Sequence, residues 1–222
     1  MKRDTLQKII RFLLKTLTRV EFVGAENIPT SGGIILATNH MSRIDIPLLF
    51  INPTRPDITA LVTDKYQEYA FIRWFTNTAE GIWLDRSKAD FTAFRMAADV
   101  IKAGKALGIA PEGTRSTTGS LLEAKEGTAL LAVRTNTAVV PAAIAGTELA
   151  VSSFKRLQRP RLVTYFGKPI PPPVLSRENR AAVLQNYTDE IMCQMAAMLP
   201  PSYRGFYADH PRLKEILAAR TH

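Results

Sequence analysis

Short apolar runs alternate with helical stretches along most of this chain, and that alternation limits the fold more than any other feature. The runs "GGIILATN" (32–39), "ITALVTD" (58–64), "GIWLD" (81–85), "ALGIA" (106–110), "TAVVPAAIAG" (137–146) and "RLVTYFG" (161–167) read as strands. Most are apolar without interruption, which marks strands covered on both faces. Between and after them, the spacing predicts helices at about 43–51, 65–77, 88–104, 125–135 and 176–199. Such alternation predicts an α/β sandwich, a largely parallel or mixed sheet flanked by helices. A chain of 222 residues suffices for one core. The stiff "KPIPPP" connector (168–173) is too short to separate domains.

The first 20 residues differ in kind. Leu6, Ile9, Ile10, Leu13, Leu17 and Val20 recur at helical spacing, with Lys8, Arg11, Lys15 and Arg19 on another face. Asp4 and Gln7 have the spacing of a capping box. The segment fits a surface helix packed on the domain, the commoner role of amphipathic helices, and it also fits an interfacial helix with its cations near anionic headgroups. We take residues 1–20 as a membrane-surface amphipathic helix and 21–222 as the main domain. The net charge of +9 sits at the ends: +5 over residues 1–20, +6 from Ser152 onward and −2 between. No basic stripe interleaved with aromatics surrounds the interior motifs, so a membrane surface is the favoured partner and nucleic acid is not. No apolar run approaches the roughly 18 residues that cross a bilayer, and no signal peptide is visible. Cys193 is the only cysteine, so there is no disulfide framework, and a reducing compartment fits. These features predict a peripheral protein on the cytoplasmic face of a membrane.

His40 is the only histidine outside the C-terminal tail. It follows the run 32–39, and ligands in open α/β sheets bind beyond the carboxyl ends of strands. Ser42-Arg43-Ile44-Asp45 reads as a helix start of the S-x-x-D kind. Within one helix, His40 and Asp45 would lie about 140° apart. They meet only if His40 precedes the helix and Asp45 turns back from its first turn. A carboxylate on one imidazole nitrogen fixes the tautomer and leaves the other free to accept a proton, as a general base requires. The same ten residues also fit a lone histidine beside an ordinary helix cap.

Two further stretches reach strand ends. "GIAPEGTRS" (108–116) offers Gly113 for close backbone approach, the Thr114 hydroxyl and the planar fork of Arg115. "IWLDRS" (82–87) puts Arg86 just beyond its strand. One base and two arginines at neighbouring strand ends describe a site for a phosphate-bearing alcohol, although a single arginine is more often a solvated charge.

"NHMSRID" resembles the N-H-x(4)-D signature of the glycerolipid acyltransferase family, which includes lysophosphatidic acid acyltransferases. "GIWLDRS", "PEGTRS" and "VVPAAIAG" are similar to that family's second, third and fourth blocks, in order and spacing, over about residues 20–170. Glu80 and Trp83 stand where the second block commonly has glycine and phenylalanine, and Ala110 where phenylalanine often precedes the third. The resemblance implies the glycerol-3-phosphate acyltransferase-like form of the sandwich. It implies acyl transfer, without cofactor or metal, from acyl-CoA or acyl carrier protein to the sn-2 hydroxyl of a 1-acyl-glycerol 3-phosphate. It makes His40 the base and Asp45 its support, and sets Arg86 and Arg115 on the acceptor phosphate. Glu112 and Gly113 shape that pocket, Asn39 supports the corner, and Pro141 lines the acyl or acceptor channel.

Three alternatives stand beside this. Acyl transfer to glycerol 3-phosphate, a lysophospholipid or an amino-lipid would use the same base. A non-catalytic membrane-binding module would use the basic helix but has no need of His40, Asp45, Arg86 and Arg115 together. A metal hydrolase lacks ligands, since no second histidine lies near the motifs. The run "FKRLQRPR" (154–161) fits an acidic carrier, coenzyme A phosphates or headgroups, and equally a solvated hairpin.

Overall fold

The computed structural model describes residues 1–85, 90–175 and 178–220. Its helices are α1 (Arg3–Leu17), α2 (Asp45–Phe50), α3 (Ala70–Thr78), α4 (Phe91–Lys102), α5 (Gly127–Thr135), α6 (Ala150–Lys155), α7 (Arg180–Met198) and α8 (Pro211–Ala219). Its strands are β1 (Arg19–Val23), β2 (Ile34–Thr38), β3 (Thr59–Thr63), β4 (Ile82–Leu84), β5 (Ala106–Ile109), β6 (Val139–Ala145) and β7 (Arg161–Phe166). They form one seven-stranded sheet in the order β1-β7-β6-β2-β5-β3-β4. All neighbours are parallel except β6 and β7. The α/β sandwich with a mixed sheet is therefore as the alternation predicts.

The topology decides where chemistry can occur. Strands β2 to β6 run one way, and β7 and β1 run the other. The edge where β2, β5 and β6 end is thus the edge where β7 and β1 begin. From β2 the chain crosses to β3 and β4, returns to β5 at β2's side, then passes to β6 on the other side. β2 stands at this switch point, where two loops diverge and leave a crevice.

The five residues of β2 are buried without exception. Alternate residues serve opposite layers: Ile35 and Ala37 pack toward α4, α5 and α7, whereas Ile34 and Leu36 pack toward Leu6, Phe50 and Ile58. Each fully buried leucine or isoleucine contributes about 1.5–3 kcal/mol, so the central strand is held firmly from both faces.

Helix α1 is divided lengthwise. Leu6 and Gln7 are buried, and Ile10 and Leu14 pack on the domain. Ile9, Phe12, Leu13 and Leu17 lie 43–68% exposed on the adjoining flank. The expected apolar stripe is therefore two stripes, one against the core and one facing solvent. Gln7 does not complete a capping box. Its amide donates to the carbonyls of Phe50 at 3.1 Å and Pro56 at 2.8 Å, while Lys2 occupies the N-cap without a side-chain bond. The helix stops at Leu17, short of Val20, because Arg19–Val23 pair with β7 as an edge strand. Val20 packs with Leu162 and Ile144 there. Among the described residues no helix is long and apolar enough to cross a membrane.

Candidate active site

Asn39 follows directly on β2 and is wholly buried. Its Oδ1 accepts from Ile144 N at 2.7 Å and its Nδ2 donates to Ile144 O at 2.9 Å. The side chain thus prolongs the β2–β6 pairing by one rung after the backbone of β2 has turned away. That fixes the corner from which His40 projects.

Helix α2 begins at Asp45, so His40 precedes it and Asp45 lies in its first turn, the arrangement their separation demands. Asp45 Oδ2 lies 3.0 Å from His40 Nδ1 and accepts from Met41 N and Ser42 N, both at 2.7 Å. Asp45 Oδ1 accepts from Thr147 Oγ1 at 2.5 Å. The carboxylate is 2% exposed, and four donors surround it. The bond back to Ser42 N is one half of the expected S-x-x-D box; Ser42 Oγ accepts instead from Ile44 N at 3.3 Å. With Nδ1 donating to Asp45, Nε2 carries the lone pair. The imidazole is 20% exposed, and Nε2 has no hydrogen-bond partner among the described residues.

The loop after β5 is bonded to the same corner. Glu112 is 2% exposed; its Oε1 accepts from His40 N at 3.2 Å and its Oε2 from Leu122 N at 3.1 Å. Ser116 N donates to His40 O at 2.7 Å. The backbone of His40 is therefore held on both sides by this one loop. Burial raises the Glu112 carboxyl to about 7, against the two backbone donors that favour its anion, and the Asp45 charge adds to the rise. The loop rests on the C-terminal segment, where Leu121 N donates to Tyr203 O at 2.8 Å and Ala124 N to Tyr207 Oη at 3.1 Å.

Gly113 has φ of 66°, and an added Cβ would meet only Lys125 side-chain atoms at 3.5–3.8 Å. Its role in the turn is thus conformational: the left-handed backbone, more than space, calls for glycine. Thr114 and Arg115 are exposed at the turn, and among the described residues Arg115 has no hydrogen-bond or ion-pair partner to tie it to the protein. Lys125 lies over Gly113, so a second cationic side chain borders the loop.

The edge of β6 supplies Thr147, fully buried beneath Asp45, and next to it Glu148, whose Oε1 accepts from Tyr203 Oη. Neither is predicted from the sequence. A threonine just past a strand carries no motif, and only the three-dimensional adjacency of β6 to β2 reveals it. Pro141 is not brought to this edge. It lies mid-strand and buried, in register with Ala37, with its ring against Gly167. Arg86 lies outside the described residues. β4 does end at the site edge with Leu84, though β5 and β3 separate it from β2, a span of roughly 14 Å at usual strand spacing.

Glu80 stands in the glycine place of the second block and has φ of 58°, the left-handed region that favours glycine. Thr59 Oγ1 donates to its carbonyl, and its carboxylate pairs with Lys105 at 3.0 Å. Among the described residues, no three His, Cys, Asp or Glu side chains converge as a metal set. The geometry therefore presents an imidazole nitrogen with an available lone pair, a buried carboxylate to balance its protonation, and cations beside it.

Residues 19–145 match the profile of the family described as Acyltransferase. The chain is 32% identical over 180 residues to a 1-acyl-sn-glycerol-3-phosphate acyltransferase of Saccharomyces cerevisiae, covering 78% of this chain and 58% of that one. It is 28% identical over 131 residues to the enzyme of that name from Borreliella burgdorferi, covering 58% and 52%. The chain thus spans a little over half the length of these curated relatives. Its fold matches the crystal structure of the 1-acyl-sn-glycerophosphate (LPA) acyltransferase PlsC from Thermotoga maritima with a TM-score of 0.64. That match has 24% identity and covers 85% of this chain and 76% of the other.

Proposed function

This chain belongs to the acyltransferase family, and we propose that it moves an acyl group from a thioester donor to the sn-2 hydroxyl of a 1-acyl-glycerol 3-phosphate, giving phosphatidic acid. The observation that carries the reading is the His40 Nδ1–Asp45 Oδ2 contact of 3.0 Å, with Nε2 left open at the sheet edge. Nε2 takes the hydroxyl proton as the acceptor oxygen attacks the thioester carbonyl. Asp45 balances the imidazolium that forms. The tetrahedral intermediate then expels the donor's sulfur, which takes the proton back from Nε2 and leaves as a thiol. The thioester is already activated, so no acyl-enzyme is required.

The donor is acyl-CoA or acyl carrier protein. Arg115 holds the acceptor phosphate through its planar fork, and Arg86 joins it on the strength of the family resemblance. Glu112 and Asn39 keep the His40 backbone in place. The exposed flank of α1 rests on the cytoplasmic leaflet, which brings the domain to substrates that live in a bilayer. Purified chain incubated with radiolabelled acyl-CoA and a panel of glycerol 3-phosphate, lysophosphatidic acid, lysophosphatidylcholine and an amino-lipid tests this. Lysophosphatidic acid is the expected acceptor, and acylation of another in its place overturns the acceptor assignment.

A further inference from the structure

The turn joining α6 to β7 contains a leucine that the fold gives no reason to keep. Helix α6 ends in a Schellman arrangement: Gln158 N donates to Ser153 O at 2.9 Å and Leu157 N to Phe154 O at 3.0 Å. The residue past the cap in this motif takes a left-handed conformation and is usually glycine. Here it is Leu157, with φ of 55° and 96% of its surface exposed. It carries the steric cost of a side chain in that conformation and recovers nothing through packing.

Its surroundings are of the same character. Val151 is 61% exposed and Phe154 37%. Leu17 of α1 is 52% exposed and lines one apolar groove with Phe154 and Leu157. Arg159 locks the two elements together, its Nη2 donating to Lys15 O at 2.6 Å and Thr18 O at 2.9 Å. Lys15, Lys155 and Arg156 are exposed beside the apolar side chains.

The topology sets this patch beside the site. α6 starts three residues after Thr147, which bonds Asp45, and β7 and β1 both begin at the edge where β2 ends. Across the sheet, α3 follows the end of β3 and exposes Phe71 by 72% and Trp74 by 41%. His40 thus lies between two apolar shoulders on one edge.

We propose that the α6–β7 turn is a lipid anchor, inserting Leu157 and Phe154 into the interface while Lys155 and Arg156 meet anionic headgroups. The edge of the sheet that carries His40 then faces the bilayer. The inference rests on the lipid-substrate reading above, and it extends the attachment from the end of α1 to a second element, the α6–β7 turn. Apolar tips rimmed by cations at the mouth of a site suit a lipid surface, whose apolar interior and anionic headgroups complement both.

The test is flotation of the full chain with vesicles of phosphatidylcholine alone and of phosphatidylcholine containing a minority of phosphatidylglycerol. Leu157→Gly removes the side chain and relieves the left-handed backbone, so thermal stability holds or rises. Vesicle binding falls about tenfold, as expected for removing one inserted leucine. A Lys155→Glu/Arg156→Glu double variant loses binding to the anionic vesicles selectively. Transfer to a vesicle-borne acceptor falls in Leu157→Gly, while transfer to a short-chain acceptor dispersed in water is unchanged. Flotation of Leu157→Gly equal to the parent overturns the anchor. So does light scattering that shows a parent dimer reduced to monomer by Leu157→Asp, since a second copy would then be the occupant. If the parent transfers acyl groups to no acceptor, the catalytic reading fails, yet flotation still reports on the anchor.

Discussion

Replacing Asp45 with asparagine separates charge from position at the proposed base. The Asp45 Oδ2 atom accepts from His40, Met41 and Ser42, while Oδ1 accepts from Thr147 alone. An asparagine therefore has one good orientation. Its oxygen takes the crowded Oδ2 place, and its NH₂ faces the Thr147 hydroxyl, which rotates to accept. Every backbone donor stays satisfied, and His40 keeps its orientation and tautomer. Folding then loses charge assistance, and the buried Thr147 hydroxyl hydrogen loses its acceptor, about 2–4 kcal/mol together. Catalysis loses at least as much. An imidazolium and a carboxylate about 4 Å apart attract by about 4 kcal/mol at an effective dielectric constant of 20, which corresponds to about 10³ in rate. The assay is thiol release from an acyl thioester in the presence of lysophosphatidic acid, with thermal melts on the same samples. Asp45→Ala is the contrast: it strands buried donors at about 1–3 kcal/mol each and should melt far lower. A folded Asp45→Asn protein within a few-fold of the parental rate would refute the charge-balance argument.

Glu112 makes the fold sensitive to pH. Its carboxyl rises from the ordinary 4.5 to about 7 on folding, so between those values the folded chain keeps a proton that the unfolded chain has released. Stability therefore falls as pH climbs through that window, by about 3 kcal/mol in all. Glu112→Gln should lack that component, so urea midpoints at pH 5 and pH 7 should differ less in the variant than in the parent; equal slopes count against the assignment. Arg115→Ala should weaken use of a phosphorylated acceptor about 10- to 100-fold, and Arg115→Lys should restore it only in part, because a point charge lacks the fork. Unchanged preference for phosphorylated over unphosphorylated acceptors would remove Arg115 from the phosphate. Glu80→Gly should leave stability within about 1 kcal/mol of the parent, with relief of the left-handed backbone offset by loss of the Lys105 pair. A large drop in melting temperature would mean that the side chain does more than pair.

The sheet was legible because its central strands are buried on both faces, and a run such as "GGIILATN" offers little alternative. β1 was not: it is a half-exposed edge strand, and Val20 falls at a helical interval from Leu17. α6 was hidden by its six-residue length and its two serines. At the site, His40 and Asp45 were readable because their separation is local and forces a corner. Thr147 and Ser116 bond that corner from far along the chain, and only strand order brings them there. In "FKRLQRPR" the charges do not act alike. Arg159 caps α1, Arg161 pairs with Glu21, and Lys155 and Arg156 stay in solvent.

The central claim is that His40 Nε2 removes the acceptor's proton, and His40→Ala tests it most directly. The imidazole is partly exposed, and among the described residues its only side-chain bond is the Nδ1–Asp45 contact. The variant should therefore fold, with circular dichroism and melting close to the parent. Formation of labelled phosphatidic acid from acyl thioester and lysophosphatidic acid should fall by about 10² to 10⁴. A folded His40→Ala protein that still makes phosphatidic acid at the parental rate would contradict the account.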